Sequence, residues 1–284
     1  MAIMHSEWTG RLKHWIRTLK DDLYLPLGTV DWSMFTTMDE LSVEEAMKGD
    51  FQPVSAGHTW GKKYEYGWLK GQVVIPPEAA GKRVVVDLNP DGESTVFVNG
   101  KAFGNYRADW VREKHHFMVD NFLTPCAEEG EVFDILVEVY AGHFFGQADG
   151  CATGPVLPGS FQDPKKDGQR DTLGVCTYGI WNEDAYQLFM DVMTLNELLK
   201  TLDEDSLRAS KVAEALEQFT LIADFEQDLP GRVATYKQAR EALKPVLEAK
   251  NGSTVPEFYA IGNSHLDLAW LWPMQETYRK TARN

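Results

Sequence analysis

The sequence predicts an α+β chain: an antiparallel β-sandwich or jelly roll, then a helical linker, then the first strand and helix of an α/β catalytic barrel. Three observations predict it. Between residues 60 and 145, short β-branched and apolar runs are separated by turn residues, and no helix-length periodic segment interrupts them. From Asn182 the apolar period lengthens to that of a helix. Near the end, the apolar run Phe258–Ile261 meets Gly262–Asn263, a histidine and aspartate two residues apart, and a Pro that suits a helix start. The expected divisions are 1–55 (a helix and lead-in), 56–180 (the β-sandwich with a long connection), 181–252 (helical) and 253–284 (the truncated start of an α/β domain).

Taking the elements in order, Trp8, Leu12, Trp15, Ile16 and Leu19 share one helical face, and Arg11, Lys13, Arg17 and Lys20 share the other. A membrane-surface helix would show this pattern. So would an amphipathic helix docked on its own protein, which the short span and acidic chain favour. Strands are expected over Gly67–Ile75, ended by Pro76–Pro77, and over Arg83–Leu88, ended by Asn89–Pro90–Asp91–Gly92. Thr95–Val98 leads into Asn99–Gly100, a two-residue hairpin signal. Val132–Tyr140 alternates imperfectly, as a half-buried strand does. Residues 146–180, rich in Gly, Asp and Pro, read as a long connection packed against something.

The first long helix is expected to end near Leu202, with Asp203 to Asp205 capping a second that carries Leu207, Val212, Leu216, Phe219, Ile222 and Phe225. Pro230–Gly231 breaks the pattern. A third helix over Val233–Ala249 is expected to bend at Pro245, and Asn251–Gly252–Ser253 ends the set.

Composition excludes some functions. Lys and Arg total 28 against 43 Asp and Glu, a net charge of −15, which disfavours nucleic-acid binding through a general basic surface. No run approaches the ~20 apolar residues of a membrane span, and Met1 to Lys20 lacks the features of a secretory signal. Cys126, Cys151 and Cys176 form neither a disulfide framework nor a zinc spacing, which suits reduced thiols in a cytoplasmic protein.

The polar residues with chemical promise sit at the end. Side chains two apart on extended chain point the same way, so His265 and Asp267 can present an imidazole and a carboxylate to one divalent cation. If Phe258–Ile261 is a buried parallel strand, the pair lies at its C-terminal end, where α/β folds place active sites. Such pairs also arise by chance, and Asp267 could instead cap the following helix. The run could also be a terminal strand of the preceding sheet. His115–His116, His143 and Asp149 read as surface or core residues, since adjacent histidines on a strand face opposite ways.

The longer string Gly262-Asn-Ser-His-Leu-Asp-Leu-Ala-Trp-Leu-Trp-Pro273, with Glu276-Thr-Tyr-Arg-Lys-Thr-Ala-Arg283 after it, closely resembles a motif of the glycoside hydrolase family 38 α-mannosidases. More loosely, Trp60-Gly61, Ile75-Pro76, Gly81-Lys82, Asp91-Gly92-Glu93 and Phe97-Val98-Asn99-Gly100-Lys101 resemble the β-domain that precedes the catalytic domain in cytosolic-type members, a sandwich of galactose-binding-like form. The three-helix stretch resembles the link between the two. Asn263, Ser264 and Leu268 depart from the residues common in the family, with no chemistry lost.

The resemblance implies retaining hydrolysis of terminal α-linked mannose. It implies that His265 and Asp267 are two ligands of one zinc ion and that Trp270 lies against the sugar. It places the remaining ligands, the nucleophile and the acid/base beyond Asn284, so no catalytic residue is assigned in this chain, and residues 1–284 alone are expected to be inactive. Trp272 reads as a core residue. The expected partner is a mannose-containing oligosaccharide, with neither nucleic acid nor membrane, and homo-oligomerisation is left open. The alternatives are a non-catalytic carbohydrate-binding module with a helical extension, and an unrelated divalent-metal hydrolase using His-x-Asp.

Overall fold

The computed structural model describes residues 6–62, 64–107, 114–142, 171–250, 252, 255–269 and 272–283. In chain order the elements are α1 (Ser6–Asp21), β1 (Tyr24–Thr29), β2 (Trp32–Thr37), α2 (Val43–Ala46), β3 (Gln52–Val54), β4 (Thr59–Trp60), β5 (Tyr66–Val74), β6 (Val84–Asp87), β7 (Glu93–Val98) and β8 (Lys101–Arg107). Then come α3 (His115–Asp120), β9 (Phe122–Thr124), β10 (Val132–Tyr140), β11 (Asp171–Thr172), β12 (Thr177–Trp181), α4 (Glu183–Thr201), α5 (Leu207–Ile222), α6 (Leu229–Leu247) and α7 (Met274–Arg283). The chain forms two compact units. One joins residues 1–25 to 182–260, and the other joins residues 26–181 to 261–284.

The second unit is a β-sandwich. Its six-stranded sheet runs β3-β2-β5-β10-β7-β8, and its four-stranded sheet runs β1-β12-β6-β9. Every pairing in the six-stranded sheet is antiparallel. Leu69, Val73, Val96, Ile135, Val137 and Val139 from one sheet meet Val84 and Val86 from the other in a shared core with Trp32 and Trp60. These residues occur at every second position because a strand presents alternate side chains to one face. The hairpin at Asn99–Gly100 forms as expected, with both residues at positive φ (50° and 75°), which suits the right-handed twist of the flanking strands.

Two features of this unit differ from the sequence reading. Strands begin at Tyr24, inside the stretch expected as a lead-in, because β1 forms an edge of the four-stranded sheet and β2 joins β3 to β5 in the six-stranded one. The expected half-burial of Val132–Tyr140 also gives way to a strand buried on both faces from Ile135 onward. The second face is covered in two parts. Leu136, with Trp68, lies in a small cluster with Ala46, Phe35, Val43 and Phe51, while Glu138 and Tyr140 lie under α7.

His115 and His116 are on the short helix α3 rather than a strand, with His115 buried and the rings 4.3 Å apart. Their neighbours on the helix, Phe117 and Met118, are buried apolar residues, which makes α3 a piece of packing. His143, Asp149, Cys151 and the first part of the expected 146–180 connection lie outside the described residues. The last part of that connection contributes β11 and β12.

The other unit is helical. Leu12 and Leu19 of α1, Leu188, Val192 and Leu195 of α4, Val212, Leu216 and Phe219 of α5, and Tyr236, Ala239 and Leu243 of α6 are buried. The amphipathic N-terminal helix docks here. Arg11 donates to Thr220 O (2.7 Å from Nη2) and Trp15 Nε1 donates to Ala223 O (3.0 Å), so polar side chains of α1 cap the carbonyl end of α5.

The helix starts follow capping chemistry. Asn182, Ser206 and Asp228 accept backbone N–H bonds from Ala185, Ala209 and Gly231. The second cap is Ser206 rather than one of Asp203–Asp205, because Asp203 is already engaged with the N–H of Asp205 (3.0 Å) in the turn. Pro230 does not end a helix. It sits in the first turn of α6, where its missing N–H would have had no partner. Asp22, buried at the end of α1, accepts from Arg232 Nη1 (3.0 Å) and from the Tyr236 hydroxyl (2.5 Å).

Candidate functional site

His265 and Asp267 stand side by side. Nε2 of the imidazole is 3.2 Å from Oδ1 of the carboxylate, and the side chains are 85% and 46% exposed. The i, i+2 spacing brings the two side chains together, in a setting other than the buried strand expected. Residues 256–267 take up no regular secondary structure, and Phe258, expected in a buried parallel strand, is 92% exposed. The physical reason is the one that makes single strands unstable: the backbone donors and acceptors of a strand need a paired neighbour, and among the described residues none pairs with this run.

Nor is Asp267 the cap of the helix after it. α7 begins seven residues later at Met274, directly behind Pro273, with Glu276 N bonded to Pro273 O (3.0 Å). Trp270 lies outside the described residues. Trp272 is half-buried where a core residue was expected, with Nε1 donating to Thr277 Oγ1 (3.1 Å) and Lys280 Nζ 4.4 Å from its ring centroid, so it packs on α7.

An imidazole nitrogen and a carboxylate oxygen are both zinc donors, so the pair fits such an ion chemically, as two of the four ligands of a tetrahedral site. Among the described residues no third His, Cys, Asp or Glu groups with them.

The helix that follows the pair carries a second constellation, which the sequence reading did not recognise as a site. α7 lies on the outer face of the six-stranded sheet. Register places Tyr66, Trp68, Glu93, Thr95, Glu138 and Tyr140 on that one face, since directly paired residues of antiparallel strands project together. Lys280 Nζ lies 2.6 and 2.7 Å from the two oxygens of Glu93. Arg279 Nη1 is 3.2 Å from Glu138 Oε1, and its Nη2 donates to Leu41 O (2.6 Å).

Arg283 Nη1 donates to Glu276 Oε1 (2.5 Å) and Nη2 is 3.6 Å from Glu138 Oε2. Tyr66 donates to the other oxygen of Glu276, and Asn105 Nδ2 donates to Arg283 O (2.6 Å). Burial raises the carboxyls of Glu138 and Glu276 above their ordinary range, with the nearby arginines pulling the other way. Burial lowers the tendency of Arg283 to hold its proton, but Glu276 and Glu138 beside it outweigh that and keep it charged. The only sequence signals were the cationic spacing of Arg279, Lys280 and Arg283 and an acid, Glu138, inside an apolar strand.

The sandwich agrees with what comparison with known proteins finds. The family profile described as "Alpha-mannosidase, jelly roll domain" matches residues 28–173, just over half of the chain. Alpha-mannosidase 2C1 of Mus musculus is 27% identical over 266 residues, covering 94% of this chain and 24% of its own length. Alpha-mannosidase 2C1 of Homo sapiens is 24% identical, covering 96% and 26%. Alpha-mannosidase G of Dictyostelium discoideum is 22% identical, covering 87% and 21%. The chain thus spans about a quarter of the length of these curated relatives. With its jelly roll observed where the profile places it, the chain belongs to the family 38 α-mannosidases.

Proposed function

We propose that this chain is the N-terminal part of a zinc-dependent α-mannosidase that removes terminal α-linked mannose from oligosaccharides with retention of configuration. The observation that carries the reading is the His265–Asp267 pair, its side chains 3.2 Å apart and open to solvent, in a member of this family. In the proposal the imidazole and the carboxylate are two ligands of the zinc. Bound zinc supplies Lewis-acid and templating chemistry at two adjacent sugar hydroxyls. Asp267 contributes the negative charge that a dication needs, and His265 contributes a neutral nitrogen donor that is held close to it. Trp270 is proposed to lie against the mannose ring.

The nucleophile and acid/base are proposed to come from residues after Asn284, so the polypeptide 1–284 alone should not turn over an aryl α-mannoside. The carbohydrate-module alternative has less support. Trp32 and Trp60 fill the core between the sheets and Trp68 is buried in a small apolar cluster on the outer face, so none of the three is an exposed platform for sugar. A cytoplasmic location is proposed from the free thiols Cys126 and Cys176. No helix among the described residues is long and apolar enough to cross a membrane.

The test is metal content and turnover of the full-length protein. His265→Ala and Asp267→Asn should each lower bound zinc and reduce hydrolysis of an aryl α-mannoside by orders of magnitude. Asp267→Asn keeps the shape and an oxygen donor, so full zinc content and near wild-type turnover in that variant would refute the proposed site.

A further inference from the structure

We infer that the outer face of the jelly-roll sheet is a seat that positions the His265–Asp267 pair, with Glu93 and Glu138 as its positioning residues. This rests on the metal reading of that pair. Glu138 projects from the middle of an apolar strand and is 2% exposed, and a carboxylate in such a place is unfavourable unless cations meet it. The cations come from a helix that begins 134 positions later in the chain, by the numbers of Tyr140 and Met274.

Three carboxylates (Glu93, Glu138, Glu276) meet three cations (Arg279, Lys280, Arg283), and these opposite charges face one another only while α7 is docked. Two of the acids belong to the sheet and all three cations belong to the helix. Undocking would leave Glu93 and Glu138 on the sheet without these partners.

The seat is tied directly to the segment that bears the metal pair. Thr277 Oγ1 on the first turns of α7 donates to Leu268 O, one residue beyond Asp267, and Trp272 between them is held by Thr277 and by Lys280 over its ring. The sheet holds Lys280, Lys280 packs on Trp272, and the chain from Leu268 to Trp272 is fixed at both ends. Through these contacts, Glu93 and Glu138 act on the pair without touching it.

The seat also has slack. Tyr140 Oη, Glu138 Oε1 and Arg283 Nε and Nη2 are buried and lack a hydrogen-bond partner among the described residues. Around Glu138, charge attraction rather than saturated hydrogen bonding therefore holds the helix, whereas Lys280 and Glu93 are joined by direct hydrogen bonds.

The experiment is amide hydrogen exchange of the peptides covering residues 265–283, with zinc affinity measured alongside on the full-length protein. The variants are Lys280→Glu, Glu138→Gln and the charge swap Glu93→Lys/Lys280→Glu. The single variants should speed exchange across α7 about tenfold or more, which is about 1.4 kcal/mol of lost docking. They should also weaken zinc binding, while the swap moves both readouts back toward wild type.

Unchanged exchange in the single variants overturns the seat. Faster exchange with unchanged zinc affinity overturns the positioning step, and a swap that exchanges as fast as Lys280→Glu shows that the Glu93–Lys280 pairing is not what holds the helix. Zinc affinity that is also indifferent to His265→Ala instead sinks the metal reading, and exchange alone then decides the seat. Circular dichroism on each variant separates local release from loss of fold.

Discussion

Asn99 is where a single side chain does two jobs that can be separated by substitution. It sits at φ 50° in the two-residue turn between β7 and β8, and its Oδ1 accepts the backbone N–H of Asp134 on β10 (2.9 Å), while its own N–H donates to Asp134 O (2.9 Å). The turn thus closes its hairpin and also ties it to the central strand. In Asn99→Ala, the left-handed backbone costs about 1 kcal/mol. The lost hydrogen bond, exposed to water, costs about 0.5 kcal/mol more. Glycine has the backbone freedom but not the acceptor, so Asn99→Gly should lose only the second contribution, plus a few tenths of a kcal/mol for its own chain entropy. For a unit of this size, 1 kcal/mol moves the melting temperature by about 2–4 °C, so alanine should lower the sandwich transition by about 3–6 °C and glycine by about 1–3 °C. Differential scanning calorimetry on the whole chain reads both. Equal shifts for the two variants would show that backbone conformation contributes nothing at this position, and an unshifted alanine variant would refute the reasoning altogether. Zinc content should not change in either.

Other expectations can be checked in the same preparations. Iodoacetamide should label exposed Cys126 well before Cys176, whose thiol burial pushes up, and Cys176 should gain reactivity only as pH is raised, read by peptide mass spectrometry. Asp22→Ala should destabilise the helical unit by about 2–4 kcal/mol in urea denaturation, because it strands the Arg232 guanidinium and the buried Tyr236 hydroxyl. Gly71→Ala should lower the melting temperature of the sandwich, since an added Cβ would come within 2.7 Å of Val30 Cγ1 and 2.8 Å of the Trp32 ring, both held in the core.

The parts of this fold that sequence could reveal are those whose cause is local. The Asn99–Gly100 hairpin, the strand ends at Pro76 and Asn89, and the capped helices over 183–247 are each set by residues within a few positions of one another. Where the deciding interaction is distant, the sequence reading slipped. Val132–Tyr140 looked half-buried because Asp134 and Glu138 alternate with Val132 and Leu136, and among the described residues it is α7 that brings cations to the buried Glu138. The same applies at Phe258–Ile261, whose apolar character suggested a buried strand although the chain described offers no strand to pair with it. One local choice also escapes residue preferences: Ser206, rather than Asp203, caps α5 because a turn already uses the aspartate.

The candidate site divides along the same line. His265 and Asp267 were legible because two residues of spacing suffice to bring an imidazole and a carboxylate together. Their mounting was not legible, because it depends on Glu93 and Glu138, which are ordinary acids in the sequence until the register of β5, β10 and β7 sets them on one face. A buried acid is a poor way to gain stability, since a well-packed apolar residue would cost nothing to desolvate. Its presence at Glu138 is better accounted for by specificity: an apolar patch would accept many helices, whereas two acids in fixed register accept one that presents Arg279, Lys280 and Arg283 in the matching order. If that is the reason, Glu138→Leu should leave the sandwich as stable as before or more so, by calorimetry, while amide exchange in α7 quickens. A Glu138→Leu variant in which α7 stays equally protected would show that the acid contributes nothing to the choice of helix.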